Sequence, residues 1–393
     1  MKNVFPMILC LALLAGCASP QSGPAPAPGS AAGAEKKAEK LLKVALFTDN
    51  GSRGTGPFHL ARILATSPQA ALTLVESSDI RAGKLAGMDL LLVPGGSSQL
   101  QCEGLGEEGK EEVRKFVRNG GAYVGVCAGF HCTLNRKERI ALMPFEYRAG
   151  AGGAAGPVLV EFSKRGAEVL GIAPGRRRVK YAKGPICKPG APWEHGKGEV
   201  LAVYKTTISP IGKPGGDFLD APAVIFGNYG KGKVIATSFH PEADTFNEDI
   251  VLGCIAAVTG VRLTPVSPRK VFHPYQAGYF FRPAVGKGCT RAVREYISLL
   301  HDPRLRVLLA SGFSNQFDVV ILPQGGEKSY AAFENGPRGK ALLKFLDRGG
   351  IVLASESAMK YMPKHPGVVD MRFRSDSLTD AAVSFAEKKE VRK

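Results

Sequence analysis

The chain of 393 residues carries 52 Lys and Arg against 35 Asp and Glu, a formal net charge of +17, and is 44% hydrophobic. That length exceeds one ordinary domain, and that apolar content supplies a core and excludes a disordered or collagen-like chain. The positive charge does not by itself call for nucleic acid: the basic residues are scattered, and the one dense run, GRRRVK at 175–180, sits among strand-like apolar segments. No nucleic-acid partner is expected. Attraction to an anionic envelope surface is the simpler use of the charge.

Residues 1–17, MKNVFPMILCLALLAGC, open with Lys2 and continue into an apolar run of about eleven residues. Such a run is too short to cross ~30 Å of hydrocarbon as a helix and reads as a signal peptide. Leu14-Ala15-Gly16-Cys17 resembles the lipobox of bacterial lipoproteins. The resemblance implies lipidation of Cys17 and a membrane anchor made by the N-terminal lipid. With Ala18 rather than Asp following, it implies the periplasmic face of the outer membrane. Residues 18–41 are Pro, Ala, Gly and Ser followed by charge, the composition of a flexible linker that buries nothing.

From residue 42 to 265 strands and helices alternate. LLKVALFTD predicts a buried strand, GPFHLARILA a helix, ALTLVESSDI a second strand and MDLLLVPGG a third. EEGKEEVRKFVRNGG predicts an amphipathic helix stopped by glycines, and AYVGVCAG a fourth strand that runs into a turn. This alternation predicts an α/β fold, a flavodoxin-like parallel sheet with helices on both faces. Between 156 and 240 several short strand-like runs separated by glycine turns predict an antiparallel extension that rejoins the sheet.

Residues 266–385 read as a degenerate second α/β copy. A constant offset of 229 pairs Asp89 with Asp318, Pro94 with Pro323, Gly96 with Gly325, Phe116 with Phe345 and Gly120-Gly121 with Gly349-Gly350. The same offset pairs Cys127 with Glu356, so the copy keeps the architecture and lacks the thiol. A supporting or interface role follows for it.

Of the eight cysteines, Cys10 falls in the signal peptide and Cys17 in the lipobox. The other six (Cys102, Cys127, Cys132, Cys187, Cys254, Cys289) fit no zinc spacing and are too sparse for a disulfide scaffold. No metal site and no cofactor is expected.

The chemistry concentrates in YVGVCAGFHC at 123–132. A strand that ends in a tight turn and runs at once into a helix presents its turn residue as a nucleophile, and only small neighbours such as Gly125, Ala128 and Gly129 fit such a turn. Backbone N–H groups of Gly95 or Gly96, with that of Ala128, are candidate oxyanion donors. A cysteine nucleophile needs a base, and the base a carboxylate to orient it; SFHPEAD at 238–244 offers His240 and Glu242. A packing cysteine in a small-residue strand, with a structural histidine, remains the alternative.

The elbow and HPE together resemble the class I glutamine amidotransferase superfamily. The stretches LLLVPGGSSQLQ, GKEEVRKFVRNGGAYVGVCAGF, VKYAKGP and NYGKGKVIATSFHPE further resemble bacterial relatives of the biotin-protein ligase N-terminal domain. The resemblance implies a triad of Cys127, His240 and Glu242, with Tyr181, Gly184 and Pro185 shaping the pocket. Glutaminases of that superfamily carry a glutamine just after the cysteine turn, whereas Phe130-His131 stand here, and no ammonia-accepting module is visible. The expected activity is therefore amide hydrolysis or acyl transfer on a small amide- or peptide-like ligand. A non-catalytic module that binds a ligand or partner on the same scaffold is the second reading. The sequence leaves the oligomeric state open.

Overall fold

The computed structural model describes residues 41–148, 155–191, 193, 195–208, 219–243, 245–266, 273, 275–281, 289–326, 329–373 and 377–390. The signal peptide, Cys17 and all of the linker but Leu41 lie outside the described residues. Residues from Lys40 onward form one compact unit.

The first half runs β1 (Leu42–Phe47), α1 (Gly56–Ala65), β2 (Ala70–Val75), α2 (Ser77–Arg81), β3 (Leu90–Val93), α3 (Ser98–Arg118), β4 (Ala122–Val126) and α4 (Ala128–Thr133). It continues through β5 (Phe145–Arg148), β6 (Ala155–Phe162), α5 (Lys164–Leu170), β7 (Gly175–Ala182), β8 (Ile186–Pro189), β9 (Gly198–Tyr204), β10 (Pro222–Tyr229), β11 (Gly232–Thr237) and α6 (Glu248–Thr259). Nine strands form one sheet in the order β2-β1-β3-β4-β11-β10-β9-β6-β7. The first five are parallel, and the remaining pairings are antiparallel. The extension expected from the sequence thus leaves the parallel core after β4 and returns as β11 beside it. β5 and β8 pair as a separate hairpin-like ribbon.

Strands β3 and β4 are continuous apolar runs with every residue buried, because helices cover both faces of the parallel core. On one face α1 and α6 bring Phe58, Leu60, Ile63, Ile250 and Ile255 against the sheet. On the other, α3 and α4 bring Val113, Val117 and Phe130. Two elements differ from their sequence reading. The second strand stops at Val75 because Glu76 N–H donates to the Asp79 carboxylate and Ser77 N–H to the Asp49 carboxylate, each at 3.0 Å, turning the chain into α2. Helix α3 starts at Ser98, earlier than its charged run, because the Ser97 hydroxyl caps Leu100 N–H; it kinks at Gly106 (φ 63°).

The second half runs β12 (Tyr275–Phe280), α7 (Cys289–Leu300), β13 (Leu305–Ala310), β14 (Val319–Leu322), α8 (Gly336–Asp347), β15 (Ile351–Ala354), α9 (Glu356–Met359), β16 (Val368–Asp370) and α10 (Leu378–Glu390). Its five-stranded sheet, β13-β12-β14-β15-β16, is parallel throughout and repeats the β2-β1-β3-β4 order. The likeness extends to single contacts. Lys43 N–H donates to the Asp89 carboxylate and Gln276 N–H to that of Asp318, both at 2.9 Å. A Cβ on Gly121 would lie 2.4 Å from the Phe116 ring, and one on Gly350 2.5 Å from the Phe345 ring. The two glycines let equivalent phenylalanines fold back against equivalent strand starts. The halves share a core through α1 and α7, where Phe58 packs edge-on against Tyr296 with centroids 5.6 Å apart. Thr48 Oγ1 lies 2.9 Å from Thr290 Oγ1 at the same seam.

Candidate functional site

Cys127 sits between β4 and α4 with φ 52° and ψ −98°, a sparsely populated positive-φ conformation that costs a non-glycine residue ~1–3 kcal/mol. The turn is held in place because Cys127 N–H donates to Thr237 O on β11 at 2.8 Å, and its carbonyl accepts from His131 N–H at 3.0 Å. Small neighbours are obligatory. A Cβ on Gly129 would lie 2.2 Å from Val93 O, and one on Gly125 2.5 Å from Gly129 O. These contacts bind the elbow to the end of β3.

His240 and Glu242 follow β11, which lies directly beside β4. His240 N–H donates to Lys180 O at 2.8 Å, anchoring the residue on the end of β7. Its ring Nδ1 lies 2.9 Å from Glu242 Oε1, and the Glu242 side chain is fully buried. Burial works against charge on this ring. The Glu242 carboxylate, hydrogen-bonded to the ring, and the nearby Cys127 sulfur nevertheless push its pKa well above the ordinary imidazole value. Both neighbours favour the charged form of the ring. Glu242 Oε2 has no hydrogen-bond partner among the described residues.

Gly95 lies under the imidazole: a Cβ there would be 2.6 Å from His240 Cε1 and 3.4 Å from Cys127 Cβ. Gly96 (φ 148°) packs so closely on Gly51 O that a Cβ would meet it at 1.9 Å. Among the described residues, the N–H groups of Gly95, Gly96 and Ala128 are spoken for by none of the turn and loop backbone hydrogen bonds.

The remaining candidates are near but differ in kind. Cys127 Sγ contacts Ala182 O at 3.8 Å, so the end of β7 borders the thiol. Tyr181 is buried, and its hydroxyl donates to Gly184 O at 2.6 Å. Burial and the nearby Cys127 push its phenol pKa up. Gly184 is pressed on the chain before His240, with a Cβ only 1.7 Å from Ser238 O. Tyr181 and Gly184 thus shape the site's wall from the 181–185 turn, and Pro185 is buried beside them.

Two residues were outside the sequence reading. The Ala182 carbonyl is a backbone contact that no side-chain pattern announces. His59, on α1, lies within the electrostatic reach of Glu242, His240 and Lys180, and burial lowers its pKa to about 4; a lone histidine in a helical run gave no signal. His131 stacks on Tyr147 with centroids 4.8 Å apart, its Nδ1 is 2.9 Å from Ser98 Oγ, and burial lowers its pKa to about 4. It faces the ribbon, and the histidine beside Cys127 is His240. Cys132, five residues after Cys127, points to Cys102 with their sulfurs 3.5 Å apart.

Comparison with known proteins adds a family relation. Residues 58–138 match the model for "Biotin-protein ligase, N terminal". The biotin-protein ligase of Schizosaccharomyces pombe is 27% identical over 200 residues, which covers 44% of this chain and 29% of that enzyme. The chain carries a biotin-protein ligase N-terminal-like domain. The matched span runs from α1 through the elbow and includes Gly95, Gly96, Cys127 and Ala128. The chain spans under a third of the length of the curated ligase it matches. Among solved structures, PurLQS from Thermotoga maritima is 14% identical with a TM-score of 0.40, over 55% of this chain and 98% of that one. A ThuA-like protein from Parabacteroides merdae is 16% identical with a TM-score of 0.39, over 58% of this chain and 94% of that one.

Proposed function

We propose that the biotin-protein ligase N-terminal-like domain is a cysteine-dependent amidohydrolase or acyl transferase, held at the bacterial envelope by a lipid on Cys17. The Cys127 thiolate attacks the carbonyl carbon of an amide, and N–H groups near Gly95, Gly96 and Ala128 receive the oxyanion. His240 passes its proton to the departing amine, leaving a thioester on Cys127. Water, losing a proton to His240, or a second amine then displaces the thiol and releases acid or new amide. Glu242 fixes the imidazole tautomer and stabilises its charged form.

The single observation that supports this reading is one largely buried imidazole, hydrogen-bonded to a buried carboxylate and set beside the elbow cysteine. A binding module without turnover is the second reading, favoured by Glu356 at the position of the thiol in the other copy. A screen of envelope-derived amides and short peptides, comparing wild type with C127A by product mass, separates the two. Turnover by wild type alone supports the enzyme. Binding by both proteins with no product supports the module. Radiolabelled palmitate entering the full chain, and not C17A, is the expected result for the anchor; equal labelling of both removes it.

A further inference from the structure

The second sheet carries a cavity of about 440 Å³ where β14 and β15 end, walled by α7 and by the segment after β16. In the order β13-β12-β14-β15 the chain leaves β12 toward β13 on one side and β14 on the other. The crevice beyond the strand ends at such a reversal is where doubly wound sheets take their ligands. The volume is that of a small-molecule site. It is also the counterpart of the elbow, because Glu356 stands at the offset of Cys127 and lines the cavity.

The polar lining is Arg291, Glu295, Gln324, Ser355, Glu356 and Arg372, over an apolar floor from β14 and β15. Arg372 is paired with Asp370, to which its Nε and Nη2 donate at 3.0 and 2.6 Å. Glu295 accepts from Arg291 Nε at 3.0 Å and from the Tyr279 hydroxyl at 3.1 Å. The terminal nitrogens of Arg291, a side chain 67% exposed whose Nε holds Glu295, donate to no side chain among the described residues, and the exposed Glu356 carboxylate lies within the electrostatic reach of Arg372.

We propose that this cavity binds a small zwitterion, an amino acid or dipeptide, with its carboxylate at Arg291, its ammonium at Glu356 and its apolar side chain on the floor. A guanidinium offers a carboxylate two parallel donors, and charge-assisted bonds at both ends select molecules that keep both poles. The proposal does not depend on chemistry at Cys127. A solvated cleft left by loss of a catalytic residue has no such selectivity.

The test is isothermal titration of full-length C127A, which turns nothing over at the elbow, with L-leucine, L-alanyl-L-leucine, N-acetyl-L-leucine and L-leucinamide. The zwitterions bind at one site, and each capped compound, lacking one pole, binds about tenfold or more weakly. In C127A/E356Q leucine falls to the level of its N-acetyl form, and in C127A/R291Q to that of its amide. Both changes lie on exposed side chains, and unchanged melting of the unliganded variants confirms that they fold. The proposal is overturned if neither zwitterion binds at millimolar concentration. It is equally overturned if capping makes no difference, or if E356Q leaves leucine binding intact and so places it elsewhere.

Discussion

Replacing Gly95 by alanine tests the geometry of the site with one methyl group. Gly95 lies outside the left-handed region, so the substitution strains no backbone dihedral. The new Cβ would stand 2.6 Å from His240 Cε1, whereas ordinary contact begins near 3.4 Å, so the ring or the loop must yield by roughly 0.8 Å. The same Cβ lies 3.4 Å from Cys127 Cβ and from His240 Nδ1, which leaves no direction of easy retreat. Overpacking of this kind costs ~1–3 kcal/mol of stability. Misplacing a reacting group by about 1 Å costs up to ~100-fold in rate. The assay is alkylation of Cys127 by iodoacetamide at pH 7, followed by peptide mass, beside a urea denaturation curve. G95A should react about tenfold or more slowly and unfold at lower urea. Wild-type reactivity with a wild-type urea midpoint would refute the packing of Gly95 beneath His240.

Three further outcomes follow from named contacts. G184A, whose Cβ falls 1.7 Å from the Ser238 carbonyl, should lose about 3 kcal/mol or more in urea unfolding, whereas G312A, with nothing within 4 Å of its Cβ, should stay within ~0.5 kcal/mol of wild type; equal losses would contradict the contact. Burial holds His59 and His131 neutral, with pKa values near 4, while the unfolded chain takes up those protons below about 6.5. Their stability contribution is thus present above pH 6.5 and lost as pH falls toward 4, so the urea midpoint should drop from pH 7 to pH 5 and drop less in H131Q. His240 has the opposite sign: its pKa is raised, so its contribution is full below about 6.5 and fades as pH climbs through the raised value; H240Q should flatten the alkaline limb. Mild oxidation should couple Cys102 to Cys132, whose sulfurs are already 3.5 Å apart, and leave Cys127 free in non-reducing peptide maps; a Cys127–Cys132 link would contradict the elbow geometry.

The parallel core was legible because its strands are uninterrupted apolar runs: LLLV of β3 and AYVGV of β4 admit no other layer than the middle of an α/β sandwich. The repeat was legible for a related reason. Asp89 and Asp318 bind the backbone of the neighbouring strand, and Gly121 and Gly350 accommodate a phenylalanine ring. Those tasks tolerate few residue types, so identity survives there while apolar positions drift. Boundaries set by capping were harder to read. Ser97 and the Glu76–Asp79 pair act through hydrogen bonds that compete with strand or helix continuation, and a periodic pattern does not register them. In the candidate site, Cys127, His240 and Glu242 could be named because their chemistry restricts residue type. Ala182 could not be, since it contributes a carbonyl that every residue has. The cavity at Glu356 was equally hidden, because the offset shows a lost thiol and says nothing of the space around it.

The most direct test of a cysteine-histidine-glutamate acyl-transfer site is the reaction of the full chain with p-nitrophenyl acetate, followed by p-nitrophenol release and intact mass. The triad predicts a burst of one equivalent and an acetyl group on Cys127 that water then removes, with both lost in C127A and slowed in H240A. Acetylation scattered over lysines, at the same rate in C127A as in wild type, would contradict it.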